Sequence, residues 1–227
     1  MRISSCPLID SLLDGGFETD IITTIYGPAG SGKTNICLLT SIKLALDNKK
    51  IIYIDTDSSF SVERLKQLTK DYEKVLEKIV FLKPTSFDEQ KKSFDKLREL
   101  SEDQIGLIII DSISMLYRLE LGKTEDVYDV NKELGLQISY LNEIARKKNI
   151  PVLITNQVYT DFQDNKIKMV GGDLLKYGSK CLIELKKFHK GVRAAIVKKH
   201  RSIEEDKSVY FRIIDKGIEE YKEKESF

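Results

Sequence analysis

Short apolar runs alternate with amphipathic segments along most of the chain. The runs are rich in Ile, Val and Leu, as is typical of strands that are buried on both faces of a parallel sheet. The segments between them repeat apolar residues at helical spacing. This alternation predicts strands at residues 21–26, 51–54, 79–82, 107–110 and 152–155, with helices after residue 33, over 62–68, near 87–100 and over 127–147.

The pattern changes after Gly171 and Gly172. Strand-like segments at residues 181–187, 192–198 and 208–214 follow one another with only short turns between them. We expect these segments to extend the sheet as antiparallel edge strands. The chain is therefore predicted to form a single α/β domain over residues 1–227, with a mainly parallel sheet flanked by helices. Residues 1–20 are its short N-terminal segment, and the charged end at 219–227 is expected to fray.

A glycine-rich loop follows the first predicted strand and precedes a helix. Glycines there let successive backbone N–H groups face a phosphate, and the start of the helix adds a partial positive charge. The lysine that follows can reach the terminal phosphates, and the next hydroxyl can ligate magnesium. A glycine-rich turn with no chemical role is the alternative. The strand before the loop and the helix after it favour a P-loop that binds ATP with magnesium. The P-loop comprises Gly27, Pro28, Ala29, Gly30, Ser31, Gly32, Lys33 and Thr34, and the nucleotide site also includes Asn35.

Asp111 ends the apolar run at residues 107–110. An apolar strand that delivers one carboxylate beside the metal is the second signature of P-loop proteins. Taken alone, an Asp after a strand is usually a turn residue. Its position downstream of a P-loop favours the metal role, so Thr34 and Asp111 are the predicted metal ligands.

The charges of the chain nearly cancel, with 37 Lys and Arg residues, 36 Asp and Glu residues and a formal net charge of +1. Any nucleic-acid binding must therefore be local and sensitive to salt. The apolar runs are much shorter than the roughly 20 residues that span a bilayer, and the first residues lack the features of a secretory signal. The three cysteines are far apart and show no disulfide or zinc pattern. We therefore expect a cytoplasmic protein with reduced thiols and no membrane partner.

Several segments resemble the RecA-like recombinases in order and spacing. Besides the P-loop they are Tyr53-Ile54-Asp55-Thr56-Asp57 with Glu63-Arg64-Leu65, Asp111-Ser112, and Thr155-Asn156-Gln157-Val158. The archaeal RadB family in particular resembles this chain at Leu12-Leu13-Asp14-Gly15-Gly16-Phe17-Glu18, at Lys199-His200-Arg201-Ser202 and at Phe211-Arg212-Ile213. The likeness covers nearly the whole chain.

This resemblance implies a RecA-like P-loop ATPase core and a role in homologous recombination and DNA repair. It also implies binding to ATP with magnesium, to DNA in single-stranded or branched form, and to the main RadA-type recombinase. RadB proteins keep the ATPase core of that recombinase and lack its N-terminal DNA-binding domain, for which no room is expected ahead of Gly27. The segment through which recombinases polymerise is not recognisable there either. Long filaments are therefore not expected, whereas a homodimer is compatible with the sequence.

The resemblance also implies catalytic roles for Asp57 and Gln157 beside Lys33. In recombinases that hydrolyse ATP well, a Glu at the position of Asp57 orients the attacking water. Asp57 is one methylene shorter, and a misplacement of about 1 Å can reduce a rate on the order of a hundredfold, so slow hydrolysis is predicted. Asp57 as the N-cap of the next helix is the alternative. The family uses a Gln at the position of Gln157 to sense the γ-phosphate, whereas without the resemblance Gln157 is an ordinary loop residue.

Lys199 and Arg201 are one residue apart on a predicted strand and should point to the same face. In some RecA-like assemblies such a Lys-x-Arg pair reaches the γ-phosphate of a neighbouring subunit, which would make Arg201 an arginine finger that acts in trans. An exposed charge pair that protects an edge strand from aggregation is the alternative.

Two polar stretches follow strands on the nucleotide side of the sheet, where α/β folds place ligands. The first contains Tyr117, Arg118 and Lys123, an aromatic ring beside cations that suits stacking and phosphate contacts on single-stranded DNA. The second covers residues 159–172 and contains Lys166 and Lys168 among mixed charges. Solvated surface without DNA contact is the alternative for both stretches.

The sequence thus predicts an ATP-binding, DNA-binding accessory protein of recombination and repair with a weak, DNA-dependent ATPase. The alternative is a regulatory module in which ATP changes the affinity for the main recombinase and hydrolysis is negligible, which would also fit Asp57. A small-molecule kinase is disfavoured, because no Arg-rich lid is recognisable and antiparallel C-terminal strands suit a RecA-like core better.

Overall fold

The computed structural model describes residues 1–99, 105–123, 125–160 and 167–221. The strands are β1 (Arg2–Ile3), β2 (Phe17–Glu18), β3 (Ile22–Tyr26), β4 (Lys50–Asp55), β5 (Ile79–Leu82), β6 (Ile105–Asp111), β7 (Val152–Asn156), β8 (Val158–Thr160), β9 (Ile167–Met169), β10 (Cys181–Lys187), β11 (Val192–Lys199), β12 (Ser208–Ile214) and β13 (Gly217–Glu220). The helices are α1 (Pro7–Leu12), α2 (Lys33–Leu46), α3 (Val62–Leu68), α4 (Tyr72–Glu77), α5 (Phe87–Glu99), α6 (Ser114–Leu121), α7 (Val127–Lys148) and α8 (Gly172–Gly178).

The central sheet has nine strands in the order β13-β12-β11-β10-β3-β7-β6-β4-β5 within the described ranges. Every pairing from β10 to β5 is parallel, whereas β10 to β13 pair as consecutive antiparallel strands. The expected fold, a mainly parallel sheet with flanking helices and antiparallel C-terminal strands, is confirmed. The expectation for the first C-terminal strand is corrected, because β10 is parallel to β3 and lies inside the sheet.

Helices cover both faces of the parallel part of this sheet, which explains why β4, β6 and β7 are almost entirely buried. Along β4, Ile51 and Tyr53 belong to the core on one face, and Ile52 and Ile54 belong to the core on the other. This alternation follows from the period of two along a strand. Helices α1 to α4 contribute to the first core, and α5 to α8 contribute to the second. The carboxyl ends of the parallel strands remain available for a ligand site.

The N-terminal segment, residues 1–20, is part of the first core. Its apolar residues Ile9, Leu12 and Phe17 are buried there, and β1 pairs with β2 in a small antiparallel sheet. The three cysteines are free and buried. Within the described part of the chain, no helix has the length and apolar character needed to cross a bilayer.

Four helices, α1, α4, α6 and α8, occupy positions where the sequence pattern did not predict them. The last two illustrate the reason. Residues 114–121 form α6 instead of a polar loop, because Leu116 and Tyr117 are buried in the second core, where α6 contacts α5 and α7. Residues 172–178 form α8, a helix bounded by glycines that buries Leu175. In both cases burial of a few apolar side chains stabilises helices that are too short for a clear periodic pattern.

The sequence predicts that the chain frays from Glu219 onwards, and the structure differs at Glu219 and Glu220. Glu219 and Glu220 lie in β13, which pairs with β12, while residues 222–227 lie outside the described ranges. The turn between these strands is held by Arg64 of α3, whose guanidinium donates hydrogen bonds to the carbonyls of Ile214 and Asp215, 2.8 and 2.9 Å away. These contacts explain why this segment forms a strand, although its charged residues suggested a frayed end.

Candidate nucleotide site

The glycine-rich loop joins β3 to α2, as the sequence predicts, and its glycines are required by the backbone. Gly27 has φ 156°, and a Cβ at this position would lie 2.4 Å from the carbonyl oxygen of Leu185. Gly32, directly before α2, has φ 110°, and a Cβ there would lie 3.2 Å from Ile213. A side chain at either position would clash or strain the chain. The loop is thus a backbone cradle at a helix N-terminus, the arrangement that binds phosphate groups.

Lys33, at the start of α2, has its ammonium folded back onto the P-loop. Its Nζ donates hydrogen bonds to the carbonyl oxygens of Gly27 and Pro28, at 2.8 and 3.1 Å. Burial lowers the pKa of Lys33, and the negative charges of Asp111 and Asp57 oppose this shift. The sequence-predicted Lys33, Asp57 and Asp111 are therefore close enough to interact electrostatically.

Asp111, at the end of β6, accepts hydrogen bonds from four hydroxyl groups. Thr34 Oγ1, Tyr53 Oη and Ser59 Oγ donate to Asp111 Oδ2 at 2.7, 2.9 and 2.8 Å, and Thr155 Oγ1 donates to Asp111 Oδ1. The contact between Thr34 and Asp111 joins the two residues that the sequence analysis assigned to magnesium. Their juxtaposition supports that pairing.

Tyr53, Ser59 and Thr155 were not assigned to the site by sequence reasoning. Tyr53 and Thr155 lie within apolar strands, where nothing distinguishes a donor from an ordinary core residue. They lie within two residues of the carboxyl ends of the parallel strands β4 and β7, which is the signal that could have identified them. Burial and the neighbouring Asp111 carboxylate raise the pKa of Tyr53 well above its usual value, so Tyr53 remains a neutral donor.

Asp57 follows β4 and is exposed. Partial shielding from water, together with the negative charge of Asp111, raises the pKa of Asp57, while a hydrogen bond from Ser59 and the charge of Lys33 oppose this shift. The alternative role of Asp57 as a helix cap is wrong. The N-cap of α3 is Ser61, whose hydroxyl accepts a hydrogen bond from the Arg64 amide.

Gln157 lies between β7 and β8 and is half-buried. Its backbone N–H donates to Ser114 Oγ at 3.3 Å, and its side-chain amide donates to Met115 Sδ at 3.9 Å. Its carbonyl accepts the backbone N–H of Val170 at 3.1 Å. Gln157 thus connects the carboxyl end of the sheet with α6 and with the segment after β9, the arrangement that a sensor between the site and these elements would need.

The remaining P-loop residues fit a phosphate site with magnesium. Ser31 is fully buried, and its hydroxyl has no partner among the described residues. Asn35, also assigned to the site, has a side-chain oxygen that accepts a hydrogen bond from Arg64 Nε at 2.8 Å.

The described residues include no group of three or more His, Cys, Asp and Glu side chains that could hold a metal. A metal at Thr34 and Asp111 would therefore need phosphate and water ligands, which is the coordination that magnesium prefers.

Lys199 and Arg201 do not form the pair on one strand that the sequence analysis expected. Lys199 ends β11, whereas Arg201 lies beyond the strand. Lys199 Nζ donates to the carbonyls of Lys176 and Ser179 at the end of α8, at 2.7 and 2.8 Å. Arg201 Nε lies 2.7 Å from a Glu18 carboxylate oxygen, and its Nη2 lies 3.2 Å from Asp20. The edge-strand alternative is also wrong, since β11 lies between β10 and β12.

The candidate DNA-binding residues differ in the exposure of their side chains. Tyr117 is only 5% exposed, and its hydroxyl donates to Asn131 Oδ1 at 2.5 Å. Its predicted stacking on DNA is therefore wrong, because α6 directs the ring into the core. Lys168 is exposed on β9, opposite Tyr159 of β8, which is 45% exposed. Arg118 and Lys123 are exposed, and Lys166 lies outside the described residues.

A protein-family model described as Rad51 matches residues 2–221. The chain therefore belongs to the Rad51 family, and the resemblance to RecA-like recombinases is confirmed. This result agrees with the sheet topology and with the position of the P-loop between β3 and α2.

Curated relatives and a solved structure carry the name RadB. "DNA repair and recombination protein RadB" of Methanococcoides burtonii is 41% identical over 217 residues, covering 95% of this chain and 96% of that protein. The protein of the same name from Methanocaldococcus jannaschii is 42% identical over 214 residues, covering 93% and 99%. The "Crystal structure of the RadB recombinase" is similar with a TM-score of 0.83 and 35% identity, covering 98% of this chain and 100% of that one. The resemblance to archaeal RadB proteins is thus confirmed as well.

Proposed function

We propose that this protein is an ATP-binding and DNA-binding accessory protein of homologous recombination and DNA repair, which acts in the cytoplasm with weak ATPase activity. The observation that carries the nucleotide part is the 2.7 Å hydrogen bond between Thr34 and Asp111 beside the P-loop. Membership of the Rad51 family and the names of the relatives support the recombination part. The main RadA-type recombinase is the proposed protein partner, and a homodimer fits this role better than a long filament.

Each residue of the site has a distinct role in this proposal. ATP with magnesium, when bound, supplies the phosphoryl group and the positive charge for its transfer. The P-loop amides bind the phosphates. The Lys33 ammonium gives up its hydrogen bonds to the carbonyls of its own loop and donates to the terminal phosphates instead. Thr34 and Asp111 hold the metal. Asp57 orients the attacking water, and Gln157 passes the state of the site to the β8–β9 hairpin and α6.

Two features support slow hydrolysis. The Asp57 side chain is shorter than that of Glu and is exposed, so its carboxylate is less well placed for water than a Glu would be. Arg201 is held within its own chain by Glu18 and Asp20. An arginine finger acting in trans would first have to leave both partners.

The second candidate function is a regulatory module that binds the main recombinase in response to ATP with negligible hydrolysis. The intrachain ion pairs of Arg201 favour it, because they engage the residue that would accelerate hydrolysis in a neighbouring subunit. Nucleotide-dependent capture of a RadA-type recombinase without measurable turnover would favour this function. Turnover that rises with single-stranded DNA would favour the ATPase.

The deciding experiment measures nucleotide and DNA binding on one purified sample. Calorimetry with Mg-ATP tests the phosphate site, and titration of a fluorescent single-stranded oligonucleotide at two salt concentrations tests the DNA site. Absence of Mg-ATP binding contradicts the whole proposal. Absence of oligonucleotide binding even at low salt removes its DNA part.

Tyr159→Ala and Lys168→Ala are each expected to weaken oligonucleotide binding about tenfold. A stacked aromatic ring contributes about 1–3 kcal/mol per base, and a lysine that contacts phosphate also lowers the slope of affinity against salt by about one. Fluorescence anisotropy at several salt concentrations measures both effects. Tyr72→Ala on α4 is the control and should bind normally. Equal affinities for all variants would exclude the β8–β9 hairpin from the DNA site.

A further inference from the structure

Thr56 lies directly after β4 and is buried beside the end of β6. Asp55 and Asp111 are the last residues at which these two strands pair. One position further, the backbone N–H of Thr56 donates to the carbonyl of Asp111 at 3.0 Å. The contact between the two chain segments therefore continues past the last regular pair of the strands.

The hydroxyl of Thr56 binds both backbone groups of Ser112. It donates to the Ser112 carbonyl at 2.6 Å and accepts the Ser112 N–H at 2.9 Å. Ser112 is only 1% exposed, and a buried N–H without a partner destabilises the conformation that buries it. Loss of the Thr56 hydroxyl would therefore favour a shift of the backbone at Ser112.

Such a shift would reach the carboxylate of Asp111, because Ser112 is the next residue in the chain. The same segment is held from its other side by β7. The Ile113 N–H donates to the Thr155 carbonyl at 3.2 Å, and Thr155 Oγ1 donates to Asp111 Oδ1. Asp111 is thus held between two threonines, and Thr56 supplies the contact from the side of β4.

Thr56 also directly precedes Asp57. Asp57 and Asp111 are close enough for the negative charge of Asp111 to raise the pKa of Asp57. Since the backbone N–H and the hydroxyl of Thr56 both bind the segment at Asp111 and Ser112, these bonds set the spacing between the main chains that carry the two carboxylates.

We propose that Thr56 is a positioning residue that fixes the metal-binding Asp111 and the water-orienting Asp57 relative to each other. It does so through its three hydrogen bonds to the backbone of Asp111 and Ser112. This inference rests on the proposed function, because that function assigns Asp111 to the metal and Asp57 to the attacking water. Thr56 contacts neither the nucleotide nor the metal in this scheme.

Thr56→Val is expected to lower the Mg²⁺ affinity of the nucleotide complex about tenfold, a typical effect of removing a group that orients a metal ligand. Turnover at saturating Mg²⁺ should also fall about tenfold, because small displacements of catalytic groups have effects of this order. The affinity for ATP in the presence of EDTA should stay unchanged, since the P-loop keeps its contacts. Titrations with a fluorescent ATP analogue measure both affinities, and phosphate release measures turnover.

Two variants control for loss of structure. Thr56→Ser keeps the hydroxyl and should retain the Mg²⁺ affinity and the turnover. Thr40→Val removes another buried hydroxyl, which donates to the Ile36 carbonyl within α2 at 2.7 Å, and should leave the Mg²⁺ affinity unchanged. If Thr56→Val does not fold, Thr56→Cys, whose thiol is only a weak donor and acceptor, should show the same loss of Mg²⁺ affinity at smaller size.

An unchanged Mg²⁺ affinity in the folded valine or cysteine variant overturns the proposal. Equal losses of ATP affinity with Mg²⁺ and with EDTA overturn it too, since general damage to the site predicts that result. Failure of the wild-type protein to bind the fluorescent nucleotide, or binding that does not depend on Mg²⁺, contradicts the proposed function instead. The affinity measurement decides even where turnover is too slow to follow.

Discussion

Lys33→Ala is expected to reduce the affinity for Mg-ATP about a hundredfold. The Lys33 ammonium donates to two carbonyls of the P-loop, and in the proposed complex it donates to the terminal phosphates instead. Hydrogen bonds to charged groups contribute about 1.5–3 kcal/mol each, so the loss of one or two such bonds accounts for this factor. Calorimetric titration of the variant with Mg-ATP measures the change.

Lys43→Ala is the matched control for this experiment. Lys43 lies on the same helix, and its ammonium is 3.2 Å from Asp47 on the protein surface. Because an exposed ion pair contributes little, this variant should bind Mg-ATP like the wild type. Equal affinities for the Lys33 and Lys43 variants would contradict the assignment of the phosphate site.

Asp57→Glu is expected to increase the turnover of ATP by as much as about a hundredfold. The added methylene brings the carboxylate closer to the position where water must be oriented, and a displacement of about 1 Å is sufficient for an effect of this order. The affinity for Mg-ATP should change little, since Asp57 does not contact the P-loop lysine directly in the described hydrogen bonds. Phosphate release at saturating Mg-ATP, with single-stranded DNA present, measures the effect.

Asp57→Asn completes the series, because an amide keeps the size of the side chain and removes its charge. This variant should turn over more slowly than the wild type. If the Glu, Asp and Asn proteins hydrolyse ATP at the same rate, Asp57 has no catalytic role, and the regulatory function becomes the better account of the site.

The features that could be predicted from sequence are those with a strong local signal. The parallel strands were predicted because each is a short apolar run, and the P-loop because its glycines, Lys33 and Thr34 occur together between a strand and a helix. Asp111 was predicted from its place after an apolar strand downstream of the P-loop. The structure brings Thr34 and Asp111 together at the carboxyl ends of strands, where the alternation of strands and helices places ligands.

The features that were missed depend on contacts between distant parts of the chain. Tyr117 has the composition of a DNA-binding residue, but α6 packs against α5 and α7 and directs its ring inwards. Tyr53 has the appearance of a core residue, and only the fold shows that its hydroxyl meets Asp111 across 58 positions of sequence. Arg201 was separated from Lys199 because β11 ends between them. Local pattern does not encode these three outcomes.

The contacts of Arg64 join the beginning of the nucleotide helix to the last hairpin of the chain. One nitrogen of its guanidinium binds Asn35, and others bind the carbonyls between β12 and β13. A shift of α2 on ligand binding would therefore also move β13, the edge strand of the sheet. The rate of amide hydrogen exchange in β13 would then report whether the nucleotide site is occupied. A protein that binds this edge of the sheet could distinguish the nucleotide-bound form from the empty form without touching the nucleotide.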